Sequence, residues 1–123
     1  MAHIRSKEDC TPLVSEHGEI VYELMGSAAG GTVQHSVAHI ELPPGKASLK
    51  HYHPVAEESY IILKGVALLE LDGETFNLSA GQAVAITPGT VHRIANPGPE
   101  PLHFLAVCVP AWTPDNSIYY VED

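Results

Sequence analysis

The feature that most narrows what this chain can fold into is its punctuation. Ten glycines and ten prolines break up the 123 residues, and no run between them keeps a 3.6-residue apolar period long enough for a helix. IVYELM at 20–25, TVQHSVAHIEL at 32–42, SYIILKG at 59–65, AVAI at 83–86 and LHFLAVCV at 102–109 read instead as strands. VALLELDGETFNLS at 66–79 reads as a hairpin around Asp72-Gly73, a type I′ turn pair. Short strands at a spacing of roughly eight to twelve residues predict an antiparallel barrel or sandwich with little helix, closed so that few strand edges stay open. LHFLAVCV is nearly continuous in apolar residues and predicts a strand buried on both faces.

Two segments carry chemistry. In GKASLKHYHPVAEESYIILKG, residues 45–65, His51 and His53 are two apart. Alternate side chains of a strand share a side and residues rise about 3.3 Å, so the two imidazoles can meet at one point. Pro54 stops that strand, and Glu58 then opens the next one on the same face as Tyr60. Glu57 and Glu58 point to opposite faces, so only one of them can join the histidines; the face shared with Tyr60, together with the motif spacing given below, selects Glu58. In GQAVAITPGTVHRIAN, residues 81–96, His92 follows a Pro88-Gly89 turn and offers a fourth ligand. Three imidazoles and a carboxylate suit a divalent transition ion such as Fe, Mn, Ni, Co or Zn, with Cu also possible on affinity, and suit Mg and Ca poorly. His35 and His39 lie about 13 Å apart on one strand, too far for both to reach one ion, and are expected at a solvated or rim position.

These residues resemble the paired motifs of the cupin superfamily. Gly45, His51, His53, Glu58 and Gly65 match every fixed position of its first motif, GxxxxxHxHxxxxExxxxxxG. Gly81, Gly89, His92 and Asn96 match the second, GxxxxxPxGxxHxxxN, while Thr87 holds the proline position and the proline stands one place on, at Pro88. The resemblance implies a small single-domain cupin of the type-2 barrel kind: an all-β, antiparallel double-stranded β-helix, or jelly-roll, with one metal ion on His51, His53, Glu58 and His92. It also implies a small-molecule substrate and a dioxygenase, decarboxylase, lyase or isomerase chemistry. A non-catalytic module, whose ion holds a small ligand or clamps two sheets, is the alternative; the full ligand set speaks against a metal-free sugar-nucleotide epimerase.

Four protein ligands leave one or two positions open on a five- or six-coordinate ion. Tyr60 is the nearest candidate acid or base, and a hydroxyl bonded within the core is its plainer role. Lys64 lies at the far strand end and is not expected to take part. Ile62, Val84, Ile86 and Ile94 are expected to wall the pocket.

One domain is the expectation for this length, divided into an arm and strand (1–30), a barrel core (31–109) and a tail (110–123). No apolar run of membrane length and no leader pattern is visible, so a cytoplasmic location is expected. Cys10 and Cys108 make no disulfide framework, and Cys108 sits in an apolar run as a small hydrophobe. The formal charge of −9 repels a phosphate backbone and argues against nucleic acid as a partner. If Glu58, Tyr60 and Ile62 face inward, Ile61 and Leu63 face outward and need cover. The strand at 20–25 or the aromatic tail at 112–121 could supply it, and a symmetric homodimer would cover both sheets at once.

Overall fold

The computed structural model describes residues 2–119. Its strands are β1 (Leu13–Val14), β2 (Ile20–Met25), β3 (Ser36–Leu42), β4 (His51–Tyr52), β5 (Glu57–Lys64), β6 (Val66–Leu71), β7 (Glu74–Ser79), β8 (Ala83–Ile86), β9 (His92–Ala95), β10 (Leu102–Val109) and β11 (Ile118–Tyr119). They form two antiparallel sheets, β1-β2-β3-β10-β5-β8 and β11-β4-β9-β6-β7. Helix is confined to short 3-10 turns at Lys7–Asp9 and Pro114–Asn116. Among the described residues no helix is long and apolar enough to cross a membrane.

The strands alternate as period-2 patterning requires. Along β5, Glu58, Tyr60 and Ile62 are buried while Glu57, Leu63 and Lys64 are exposed. The core lies between the sheets: Ile40, Leu42, Ile62, Ile86, Leu102 and Phe104 from one meet Ala67, Leu69 and Ile94 from the other. Each large aliphatic buried there contributes on the order of 1.5–3 kcal/mol relative to exposure.

Turn chemistry sets the connections. Asp72 and Gly73 both take positive φ, 46° and 87°, as the type I′ hairpin between β6 and β7 demands. Gly65, at φ 91°, joins β5 to β6, and a Cβ there would stand 3.1 Å from the Pro101 carbonyl oxygen, so only glycine fits. Thr87, where the motif has proline, closes its turn another way: its hydroxyl lies 2.8 Å from that of Thr90, and its carbonyl accepts from the Thr90 amide.

Three expectations are corrected and one open reading is settled. β3 begins at Ser36, not at 32, because the Thr32 hydroxyl donates to the His35 carbonyl and holds that stretch in the loop, leaving His35 outside the strand. The alternation over 32–42 marks neither face of that strand plainly as the core, and the structure does: Ser36, Ile40 and Leu42 are buried. β10 is buried on one face: Leu102, Phe104, Ala106 and Cys108 are covered, their alternates half-covered and Val109 exposed, since no second layer lies over its outer side. Within the single chain neither β2 nor the described part of the tail covers an outer face: β2 extends the sheet beside β3, and β11 extends the other beside β4. Tyr120 and Val121 lie outside the described residues.

His39 takes the rim position expected of it, half-buried, with its Nε2 3.0 Å from His103 Nδ1.

Candidate metal centre

The four candidate ligands converge from both sheets. His51 lies on β4 directly opposite His92 on β9, His53 follows one residue beyond β4, and Glu58 reaches in from β5. The two histidine-bearing strands are thus neighbours in one sheet, and Glu58 comes from the other. One ligand atom from each residue lies within 4.8 Å of all the others. Glu58 Oε1 stands 3.1 Å from His92 Nε2 and 3.3 Å from His53 Nε2.

The second nitrogen of each ring fixes the tautomer. Nδ1 faces a backbone carbonyl in all three: Leu49 for His51 at 2.8 Å, Asn116 for His53 at 3.2 Å and Thr90 for His92 at 2.9 Å. A carbonyl only accepts, so Nδ1 carries the proton and leaves each Nε2 lone pair turned to the centre. His53 Nε2 is buried with no hydrogen-bond partner among the described residues. Lone pairs gathered around a buried carboxylate oxygen, one of them orphaned, are the donor set a divalent transition ion takes, so the residues fit such an ion.

His92 is fully buried, while His51, His53 and Glu58 line a cavity of about 370 Å³. Its wall comes from Val21, Ile40, Leu49, Ala106 and Trp112. This corrects the expected wall: Ile62, Ile86 and Ile94 lie in the closed core and Val84 packs against it. Strand parity placed them on the inner face correctly, but along β5 the cavity takes Glu58 and Tyr60 and stops short of Ile62.

A family model for the cupin domain matches residues 38–108, more than half of the chain. The chain belongs to the cupin family. It is 34% identical over 106 residues to the uncharacterized protein MJ1618 of Methanocaldococcus jannaschii, covering 86% of this chain and 85% of that one. It is 32% identical over 78 residues to the tetracenomycin polyketide synthase protein TcmJ of Streptomyces glaucescens, covering 63% of this chain and about half, 52%, of that one. A crystal structure of a predicted oxalate decarboxylase from Thermotoga maritima superposes with a TM-score of 0.75 at 27% identity, covering 88% of this chain and 98% of that one.

In this cupin the second conserved-motif asparagine is a staple and not a ligand. Asn96 donates to the Leu42 and Glu100 carbonyls and accepts from the Gly98 amide. Tyr60 is 3% exposed, with its ring against Phe104 and His92. Burial first, and then the Glu58 charge, push its hydroxyl well above the usual tyrosine range, so it keeps its proton.

Three contributors were not read from the sequence. Cys108, taken as a small hydrophobe, donates from Sγ to Oε2 of its cross-strand partner Glu58 at 2.9 Å. The tail supplies the Asn116 carbonyl and the Ser117 hydroxyl to His53 Nδ1, and lays the Tyr119 ring 5.6 Å from that of His51. Glu19 lines the cavity. Only the aromatic content of the tail hinted at any of these.

The electrostatics make a pH prediction for the metal-free protein. Burial, and then His92, lower the pKa of His51 to about 4. Burial would raise the Glu58 carboxyl, but contacts from His53, His92 and Cys108 outweigh it and hold it below the usual carboxylate range. His53 moves the other way: Glu58 raises it against the opposing effect of its burial. Between pH 6.5 and 4 the unfolded chain protonates His51 while the folded one does not, so stability falls with falling pH by roughly 3 kcal/mol at most from this group. Glu58 adds to the loss below its unfolded value of 4.5, and His53 offsets part of it. Urea unfolding at pH 7.5 and 4.5 should show the acid sample less stable. Equal or greater stability at pH 4.5 would contradict the site's electrostatics as drawn here.

Proposed function

We propose that this cupin is a small-molecule metalloenzyme that holds one divalent transition ion, with Fe, Mn or Ni foremost, on His51, His53, Glu58 and His92. The observation that carries the reading is the cavity: three of the four ligands, His51, His53 and Glu58, line about 370 Å³ of space instead of being sealed as a structural clamp would be. The description of the Thermotoga maritima neighbour as a decarboxylase, and of TcmJ as a polyketide synthase protein, is in keeping with turnover of a small molecule.

When bound, the ion supplies a Lewis acid and, for Fe or Mn, a redox centre for a substrate oxygen. The chain does the rest. The three backbone carbonyls orient the imidazoles, and Cys108 holds one oxygen of Glu58 so that the other faces His53 and His92. Tyr60, protonated and buried beside Glu58, is assigned as the hydroxyl that donates to a ligand at the centre. A dioxygenase-type reaction leads among the chemistries.

Oxygen uptake by the Fe(II)-loaded protein, prepared anaerobically and screened with small catechols, thiols and β-diketones, tests the reading. Turnover with one class is the expected result. No uptake with any of them, on protein shown to hold iron, would leave a binding module.

We also propose a homodimer. Leu63, Val66 and Leu68 are 44%, 45% and 36% exposed on the outer faces of β5 and β6 in the single chain. Light scattering should give twice the 13.2 kDa chain mass, and Ile61→Asp should shift the protein toward monomer or aggregate. A wild-type mass of one chain at micromolar concentration rejects the dimer.

A further inference from the structure

The cavity has no cationic side chain. The chain's six basic residues are Arg5, Lys7, Lys46, Lys50, Lys64 and Arg93, and none of them lines it. Three acidic ones do: Glu58, Glu23 and Glu19. Glu58 belongs to the metal centre, and Glu23 is committed to the Ala28 and Ala29 amides, which donate to its Oε2 at 3.1 and 2.7 Å. Glu19 is different. It is half-buried just before β2, and among the described residues none donates to its carboxylate. Burial raises its pKa, the nearby His17 opposes the rise, and the charge of Glu58 adds to it.

A divalent ion on one carboxylate and three neutral imidazoles leaves a single net positive charge, enough for one negative charge on a ligand oxygen. A second negative charge further out in the cavity would meet an apolar wall and Glu19, with no cation to offset its desolvation. Oxalate, phosphate esters and ring carboxylates carry that second charge. We infer that the cavity takes an apolar phenol or hydroxy-ketone lacking carboxylate and phosphate, gripped at the ion through its oxygens, with Glu19 as the specificity residue that accepts a distal hydroxyl and turns anions away. This rests on the metal-centre reading for the point of attachment. It separates this cavity from the oxalate chemistry that the Thermotoga maritima neighbour's description names.

The test uses the Zn(II)-loaded full chain, since zinc does not turn over a catechol. The probes are 4-ethylcatechol, 3,4-dihydroxybenzoate and oxalate. The first two share ring and chelating oxygens and differ in the distal group. Calorimetry gives affinities, and Trp112, the chain's one tryptophan and part of the cavity wall, reports occupancy by its emission. The expected result is 4-ethylcatechol tighter than either anion by about tenfold or more. Glu19→Gln should narrow that ratio, and Glu19→Lys should invert it in favour of 3,4-dihydroxybenzoate, with circular dichroism confirming the fold of both. Equal or tighter binding of an anion by wild type overturns the inference, as do an unchanged ratio in both variants or no binding of 4-ethylcatechol at millimolar concentration. Zinc content by elemental analysis is a separate arm. Protein that holds no zinc sinks the metalloenzyme reading, while the zinc-free cavity's preference between the two catechols still decides the role of Glu19.

Discussion

Glu58→Ala should strip the protein of metal while Glu57→Ala leaves its metal content unchanged. The two residues are consecutive on β5, so they differ in little except the face they occupy: Glu58 is 5% exposed and its neighbour lies on the solvent side. Removing Glu58 takes away the one carboxylate that, among the described residues, lies within reach of His53 and His92, and with it the negative charge that makes a buried cation tolerable. Loss of residues that merely orient a ligand typically costs about 10–100-fold in metal affinity, and loss of the charged ligand itself should cost more than about 100-fold. Zinc or manganese content after equilibrium dialysis reads this directly. Glu58→Gln separates charge from shape: it keeps a side chain of similar volume beside Cys108, so metal loss there too assigns the effect to the charge. Retention of metal by Glu58→Ala with loss in Glu57→Ala would reverse the assignment.

What could be read in the sequence was whatever local period-2 geometry settles. Two histidines two apart share a side by strand parity, motif spacing and the face of Tyr60 choose between two adjacent glutamates, the second motif adds His92, and the structure brings these four residues together. Parity gives a face and not a height along the strand. Ile62, Ile86 and Ile94 were therefore placed correctly as inward and wrongly as pocket wall, because only the packing of Tyr60 shows where the cavity ends. Composition misled over β10, since an unbroken apolar run does not say that one of its faces has no covering layer. Cys108 and Glu58 are fifty residues apart and meet only through the β5–β10 register, which no local pattern encodes. Glu19 is harder still. Its place depends on how the segment before β2 lies over the mouth of the site, and nothing near it in the sequence marks it as facing a cavity.

Phe104→Ala should be the most destabilising single truncation in the core. Phe104 is 1% exposed on β10, with Ile40 of β3 and Ile62 of β5 as its cross-strand partners, so it packs at the middle of the six-stranded sheet. Its ring also lies 4.9 Å from that of Tyr60, which in turn sits 5.9 Å from His92. Strands paired on both sides of β10 cannot collapse easily into the space left, so the lost transfer energy is joined by a cavity cost, together about 3–5 kcal/mol. Against a typical domain stability of roughly 5–15 kcal/mol, that is enough to leave a measurable unfolded fraction. Phe76→Ala is the matched control: the same atoms are removed, but the side chain is 41% exposed on the edge strand β7, and the expected cost is under about 1 kcal/mol. Urea unfolding of the metal-free proteins keeps ion binding out of the comparison. Similar losses for the two variants would mean that the core is not centred on Phe104, and that Tyr60 is held at the site by something other than the ring behind it.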